Sequence, residues 1–168
     1  MLSEPITNEL MIWATMMGSL RSSCARDGGV TDRKMGDQDG VKGDIDGVLA
    51  ELAFCKSRNI WPDLTIYRRS GMPDCILTGK RIDIKATRYP NGRLLATLKD
   101  NPDVDIYVLA IIHEDRIDFP GFATSRDLRR EENKKSLGHG IGYALDQNKL
   151  RQWKNAQTET AKGDGQEA

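Results

Sequence analysis

Residues 71–87 read GMPDCILTGKRIDIKAT and place two aspartates and a lysine in a β-hairpin. Cys75, Ile76, Leu77, Ile82 and Ile84 are strand formers, and Thr78-Gly79 lies between them as a turn. A two-residue loop there sets Leu77 opposite Lys80, Ile76 opposite Arg81, Cys75 opposite Ile82 and Asp74 opposite Asp83. Side chains alternate along a strand, so Asp83 and Lys85 share one face while Ile82 and Ile84 point to the other. Like charges directly across a sheet repel. The pair Asp74 and Asp83 therefore asks for a positive group between them.

A helix precedes the hairpin, from about Asp44 as N-cap to Arg58. At about 100° per residue, Ile45, Val48, Leu49, Leu52 and Cys55 form one apolar stripe. Glu51 lies on the border of that stripe, and Gly47, one turn earlier, leaves the space beside it open to a ligand backbone. Taken alone, Glu51 reads as a salt-bridged border residue.

The remainder of the chain surrounds this unit. Residues 5–20 read as a helix with Ile6, Leu10, Trp13, Met17 and Leu20 in a stripe, either core or a partner helix in a homodimer. Residues 22–43, rich in Gly and Asp, read as a long loop. Short strands are expected near 64–68, 73–77 and 80–88, with 93–99 open between strand and short helix. DIYVLAIIHE, from Asp105, has the continuous apolar character of a central buried strand. RIDFPGFA, from Arg116, reads as an edge strand ended by Pro120 and Gly121. Thr124 and Asp127 form a capping box for a helix ending near Ser136. A strand at 143–145 and a short helix marked by Leu150 and Trp153 close the fold. This is an α/β pattern, a single domain over 1–155 whose mixed central sheet is flanked by helices. The tail 156–168 has nothing to bury and reads as disordered.

Composition narrows the functional classes. The chain has 168 residues, 38% hydrophobic and 30% charged, enough for one domain with a real core. No apolar run approaches the roughly 20 residues of a membrane span, and the N-terminus lacks the basic region of a signal peptide. The three cysteines, Cys24, Cys55 and Cys75, are odd in number and widely spaced, which fits a reducing cytoplasm rather than a disulfide framework or zinc site. With 25 basic and 25 acidic residues, the chain is no general polyanion coat. Its bases are concentrated instead: Arg68, Arg69, Lys80, Arg81, Lys85, Arg88 and Arg93 surround Asp74 and Asp83. Such a rim attracts a phosphate backbone, although the same residues also blunt a solvated sheet edge.

Other motifs carry less. Setting Asp37 and Asp39 in a calcium loop places Met35 at the first ligand position, Lys42 at the eighth position and Asp46 where the final glutamate belongs, which excludes it. GHGIG, from Gly138, follows a polar linker rather than a strand and reads as a turn. His113 and His139 have no ligand-spaced partners.

Helix with Glu51, then Pro73-Asp74, then Asp83-Ile84-Lys85: in this order the sequence resembles the PD-(D/E)XK nuclease superfamily over residues 44–113. The resemblance implies a restriction-endonuclease-like core carrying an added N-terminal helix. It implies Glu51, Asp74, Asp83 and Lys85 as catalytic residues. Mg²⁺, with Mn²⁺ as substitute, would be held by Asp74, Asp83, the Ile84 carbonyl and, through water, Glu51. The expected activity is Mg²⁺-dependent hydrolysis of phosphodiester bonds, with DNA rather than RNA as partner. A catalytically inactive nucleic-acid-binding protein and a structural dimerisation protein on the same fold are the competing classes.

Overall fold

The computed structural model describes residues 1–29, 40–66, 72–99, 101–137 and 140–153. In chain order the elements are β1 (Leu2–Pro5), α1 (Asn8–Asp27), α2 (Gly40–Ser57), β2 (Cys75–Leu77), β3 (Lys80–Thr87), β4 (Leu94–Thr97), β5 (Ile106–Ile112), β6 (Arg116–Thr124), α3 (Ser125–Leu128), β7 (Lys134–Ser136) and β8 (Ile141–Leu145). Single 3-10 turns span Glu131–Asn133 and Gln147–Lys149.

The hairpin forms in the expected register, with Cys75 opposite Ile82, Ile76 opposite Arg81 and Leu77 opposite Lys80. Thr78 and Gly79 both take positive φ, 48° and 75°, as a two-residue loop matched to strand twist requires. Pairing then stops. The Asp74 N–H donates to the Ile82 carbonyl at 2.8 Å, so Asp74 does not stand in register opposite Asp83.

Around this hairpin the main sheet runs β1-β6-β5-β3-β2, with β3 and β5 parallel and the other neighbours antiparallel. The central place of β5 follows from its buried run from Tyr107 to Ile112. One face of the sheet packs on α2, which α1 covers in turn: Val48, Leu49, Ala53 and Phe54 meet the layer containing Ile82, Val108 and Phe119. On the opposite face, Tyr107, Leu109 and Ile111 pack with Leu94, Leu128 and Leu145. There a second, antiparallel sheet, β4-β8-β7, takes the place of the expected flanking helices.

Several boundaries differ from the sequence expectation. α1 begins at Asn8, capped by the Thr7 hydroxyl accepting from Leu10 N–H, and continues to Asp27, seven residues beyond the expected end. Its buried face is Leu10, Ala14, Gly18 and Ser22, while Trp13 and Leu20 are exposed. Small residues win that face because α1 lies against the backbone of α2; a Cβ on Gly18 would meet Ile45 Cα at 2.6 Å. α2 starts at Gly40, so Asp44 is an exposed residue inside the helix, not its cap. Residues 64–66 form no strand.

β6 is an interior strand and continues through Pro120 and Gly121. A register shift between Leu109 and Ile111 of β5 relieves the ladder where proline has no N–H to give. Gly121 is required by a close crossing, since a Cβ there would meet the Arg151 carbonyl at 2.6 Å. The capping box does form, Thr124 Oγ1 accepting from Asp127 N–H, but α3 lasts four residues before the chain turns toward β7. Leu150 and Trp153 lie outside the closing 3-10 turn, next to Arg151, which bridges to Phe122. β1 had no counterpart in the sequence reading. Residues 30–39 with Asp37 and Asp39, 67–71 with Arg68 and Arg69, His139 and the tail from 154 lie outside the described residues.

The cysteines are all free. A hydrogen bond with Cys55 and burial push the Cys75 thiol up, which leaves it inert. Among the described residues no helix is long and apolar enough to cross a membrane.

The start of the parallel pair is held by charge. Asp105 accepts from Arg81 N–H at 2.9 Å and from its Nε at 3.1 Å, and these bonds lower its pKa from 3.8 to about 2. A depressed carboxylate contributes stability that is complete above its unfolded pKa and is lost as the pH falls through the folded one. Asp105→Asn should therefore lower the melting temperature at neutral pH and flatten its decline between 3.8 and about 2. Circular-dichroism melts across that window test this, and an unchanged slope would discount the pair.

Candidate active site

β2 is three residues long, so beyond Ile82 the β3 edge has no strand partner on that side among the described residues. The next amide on that edge, Ile84 N–H, donates to the Asp74 carboxylate at 2.6 Å. Asp74 is thus fixed by its own main chain and by the strand beside it. Asp83 is buried, and its Oδ1 receives the Lys85 ammonium at 2.6 Å. Lys85 remains 43% exposed along its side chain, although neighbouring atoms crowd its ammonium. Glu51 reaches the same edge from α2, with Gly47 beside it open as expected: a Cβ there meets nothing within 4 Å.

Electrostatics ties the four side chains together. Burial raises the Asp74 pKa well above the usual carboxylate value, and the charges of Glu51 and Asp83 add to the rise; the Ile84 amide and Lys85 only partly offset it. Burial also raises Glu51, against the pull of Arg21. For Lys85, burial works against the charge, but Asp83, Asp74 and Tyr107 outweigh it and the pKa rises. Excess negative charge has therefore been gathered where water is scarce, and this is the condition a cation relieves.

Sequence reasoning missed two contributors. Arg21, from α1, donates to Glu51 Oε2 at 2.6 Å and to the Asp63 carbonyl at 2.7 Å, and Asp63 N–H donates to the Asp74 carbonyl at 3.0 Å. The usable signal was a charged residue next to the small-residue face Ala14, Gly18 and Ser22.

The basic rim is more neutralised than its composition implies. Arg81 pairs with Asp103 and Asp105, Arg93 with Asp146, and Arg88 makes two bonds of 2.6 and 2.7 Å to the buried Asp46. His113 stands apart from the site, bound to Asp118 at 2.9 Å; Ser3 also meets that carboxylate rather than the imidazole, an arrangement that activates no nucleophile.

Among the described residues no three His, Cys, Asp or Glu side chains are grouped as a metal ion would need. The donors present are hard carboxylate oxygens, with one oxygen of Asp74 engaged by Ile84 and one of Asp83 by Lys85. By donor type alone such oxygens suit Mg²⁺, which is commonly held by one or two carboxylates together with substrate phosphate and water. Comparison with protein-family models, with curated proteins and with solved structures found no match.

Because the folded pKa of Asp74 is raised, its ionisation opposes folding, and that penalty appears as the pH climbs above the unfolded value near 3.8. In EDTA, Asp74→Asn should match wild type in mild acid and melt higher than wild type at alkaline pH. Asp74→Ala should melt lower, since it strands the Ile84 amide at a cost of about 1–3 kcal/mol. Paired melts at both pH values decide it; an asparagine variant less stable at alkaline pH would show that the repulsion is minor.

Proposed function

We propose that this protein is a Mg²⁺-dependent nuclease that hydrolyses phosphodiester bonds in DNA, an endonuclease on a restriction-endonuclease-like core. The observation that carries the reading is the open β3 edge, where the Asp74 carboxylate accepts from Ile84 N–H at 2.6 Å and Lys85 pairs with Asp83 at 2.6 Å. The order α2, β2, β3, with β5 parallel to β3, supports the core.

Hydrolysis forms a bond from water oxygen to phosphorus and breaks the bond to the leaving oxygen, which departs with a proton. Asp74, Asp83 and the Ile84 carbonyl would hold Mg²⁺ or Mn²⁺, which when bound supplies positive charge against the charge developing on the phosphate. Lys85 holds its proton, since its pKa is raised. It therefore donates hydrogen bonds to the attacking water and to phosphate oxygen, orienting the first and balancing charge on the second. Asp83 fixes the ammonium in place. Glu51, engaged by Arg21, adds negative charge next to the aspartates.

A structural dimerisation role has one observation in its favour. Ile12, Trp13, Met16 and Leu20 are at least half exposed along one side of α1. Light scattering on a size-exclusion column tests self-association separately from chemistry.

Plasmid nicking in Mg²⁺, with EDTA and an RNA transcript as controls, tests the activity and the choice of polymer. Asp83→Asn should lose cation binding and cleavage together. Lys85→Ala should retain calorimetric Mg²⁺ binding while single-turnover cleavage falls roughly 10²–10³-fold, as expected for losing one preorganised hydrogen-bond donor to developing charge. Cleavage by Lys85→Ala at the wild-type rate, or full activity in EDTA, would remove this edge from consideration as the catalytic centre.

A further inference from the structure

Tryptophan is among the side chains that folding covers most, yet Trp61 is 81% exposed. The main chain that presents it is held on both sides. Ile60 N–H donates to the Cys55 carbonyl at 3.0 Å, and the Ile60 side chain packs against the helix-side core. Pro62 fixes φ at the next position. Asp63 then donates its N–H to the Asp74 carbonyl at 3.0 Å, accepts from Arg21 at its own carbonyl at 2.7 Å, and accepts from Thr65 N–H at its carboxylate at 2.9 Å. An exposed indole is thus carried on backbone fastened to Asp74, the aspartate of the candidate site. Neighbouring side chains extend the surface. Cys75, Ile82 and Ile84 point into the helix-side core, so Ile76, opposite Arg81, points to the other face together with Asp83 and Lys85. Ile76 is 61% exposed there, and Met72, two residues before Asp74, is 48% exposed. A lone exposed apolar residue would need no explanation, but Trp61, Met72 and Ile76 all lie on the two stretches joined by the Asp63–Asp74 bond.

Charge decides what this surface can hold. The chain has no net charge, and Arg81, Arg88 and Arg93 are already paired with carboxylates. Attraction to phosphate alone is then weak, and affinity for a polynucleotide has to come from its bases. In a duplex the base faces are stacked on one another and closed to an indole, whereas in a single strand they are open to it. We propose that Trp61 is a base-stacking platform beside the candidate site, which selects single-stranded DNA over duplex. This rests on the nuclease reading for the choice of DNA as the polymer, but the stacking does not depend on cleavage.

The test is fluorescence anisotropy of a labelled oligothymidylate titrated with the full chain in EDTA, which separates binding from cleavage. Wild type should bind it more tightly than a blunt duplex of the same length. Trp61→Ala should weaken single-strand binding by about 5–140-fold, the equivalent of the roughly 1–3 kcal/mol that stacking one base is worth. Trp61→Phe should keep most of the affinity, whereas Trp61→Leu, which keeps apolar area without the π face, should behave like the alanine variant. An abasic oligomer of equal length keeps the phosphates alone, so wild type and Trp61→Ala should bind it equally. Because the indole is exposed, melting temperatures should hardly move. Unweakened oligothymidylate binding by Trp61→Ala, an equal loss on the abasic oligomer, or no oligothymidylate binding by wild type overturns the proposal. So does a loss of self-association in Trp61→Ala by light scattering with its DNA affinity intact, which would assign the surface to a second copy of this chain. Trp61-dependent binding with no cleavage in Mg²⁺ would count against the nuclease reading and support the platform; Mg²⁺-dependent cleavage and binding both untouched by Trp61→Ala would do the reverse.

Discussion

One hydrogen bond organises the candidate site: the Asp74 carboxylate accepting from the Ile84 amide. In a longer hairpin that amide would meet a backbone carbonyl, and the strand edge would be closed. Here β2 stops after three residues, and a side chain completes the ladder in place of the main chain. An aspartate is thereby held beside the Asp83-Ile84-Lys85 strand, with none of the rotamer freedom of a surface carboxylate. Its raised pKa is the electrostatic counterpart of that fixation: the fold places a negative charge where burial and two neighbouring carboxylates oppose it.

The helices act on the site through packing. α2 lies against the sheet through Val48, Leu49, Ala53 and Phe54, while its Glu51 turns to the Arg21 guanidinium of α1. α1 in turn lies on α2 through small residues. The Arg88–Asp46 pair fastens the first half of α2 to the end of β3, so the strand carrying Asp83 and Lys85 is braced to the helix carrying Glu51. The site is therefore a junction of three elements and not a property of the hairpin alone.

What was legible in the sequence was local. The hairpin register follows from alternation and from one turn dipeptide, and β5 from an unbroken apolar run. The orientation of α1 was not legible, because two stripes compete on that helix. Ranking by hydrophobicity selects Trp13 and Leu20, whereas backbone-close packing selects Ala14, Gly18 and Ser22, and only the position of α2 decides between them. Pro120 and Gly121 read as a strand end because the β5 register shift that accommodates them lies in another segment. α3 shows the same limit: a cap sets where a helix begins, but the strand pairing of β7 with β8 sets where this one ends. Glu51, Asp74, Asp83 and Lys85 could be named from motif order. Arg21 could not, since its significance depends on a contact thirty positions away.

The short β2 has a consequence for the behaviour of the protein in concentrated solution. A strand with an open edge offers free amides and carbonyls to any other extended chain and is a common starting point for aggregation. From Asp83 onward β3 is such an edge among the described residues, and its neighbouring sequence is rich in β-branched residues. The Asp74 carboxylate occupies the amide an incoming strand would need first, and the charges of Asp83 and Lys85 make stacking against an identical edge unfavourable. The side chains of the candidate site thus also act as gatekeepers of solubility, and replacing any of them by an apolar residue would lay this strand edge open.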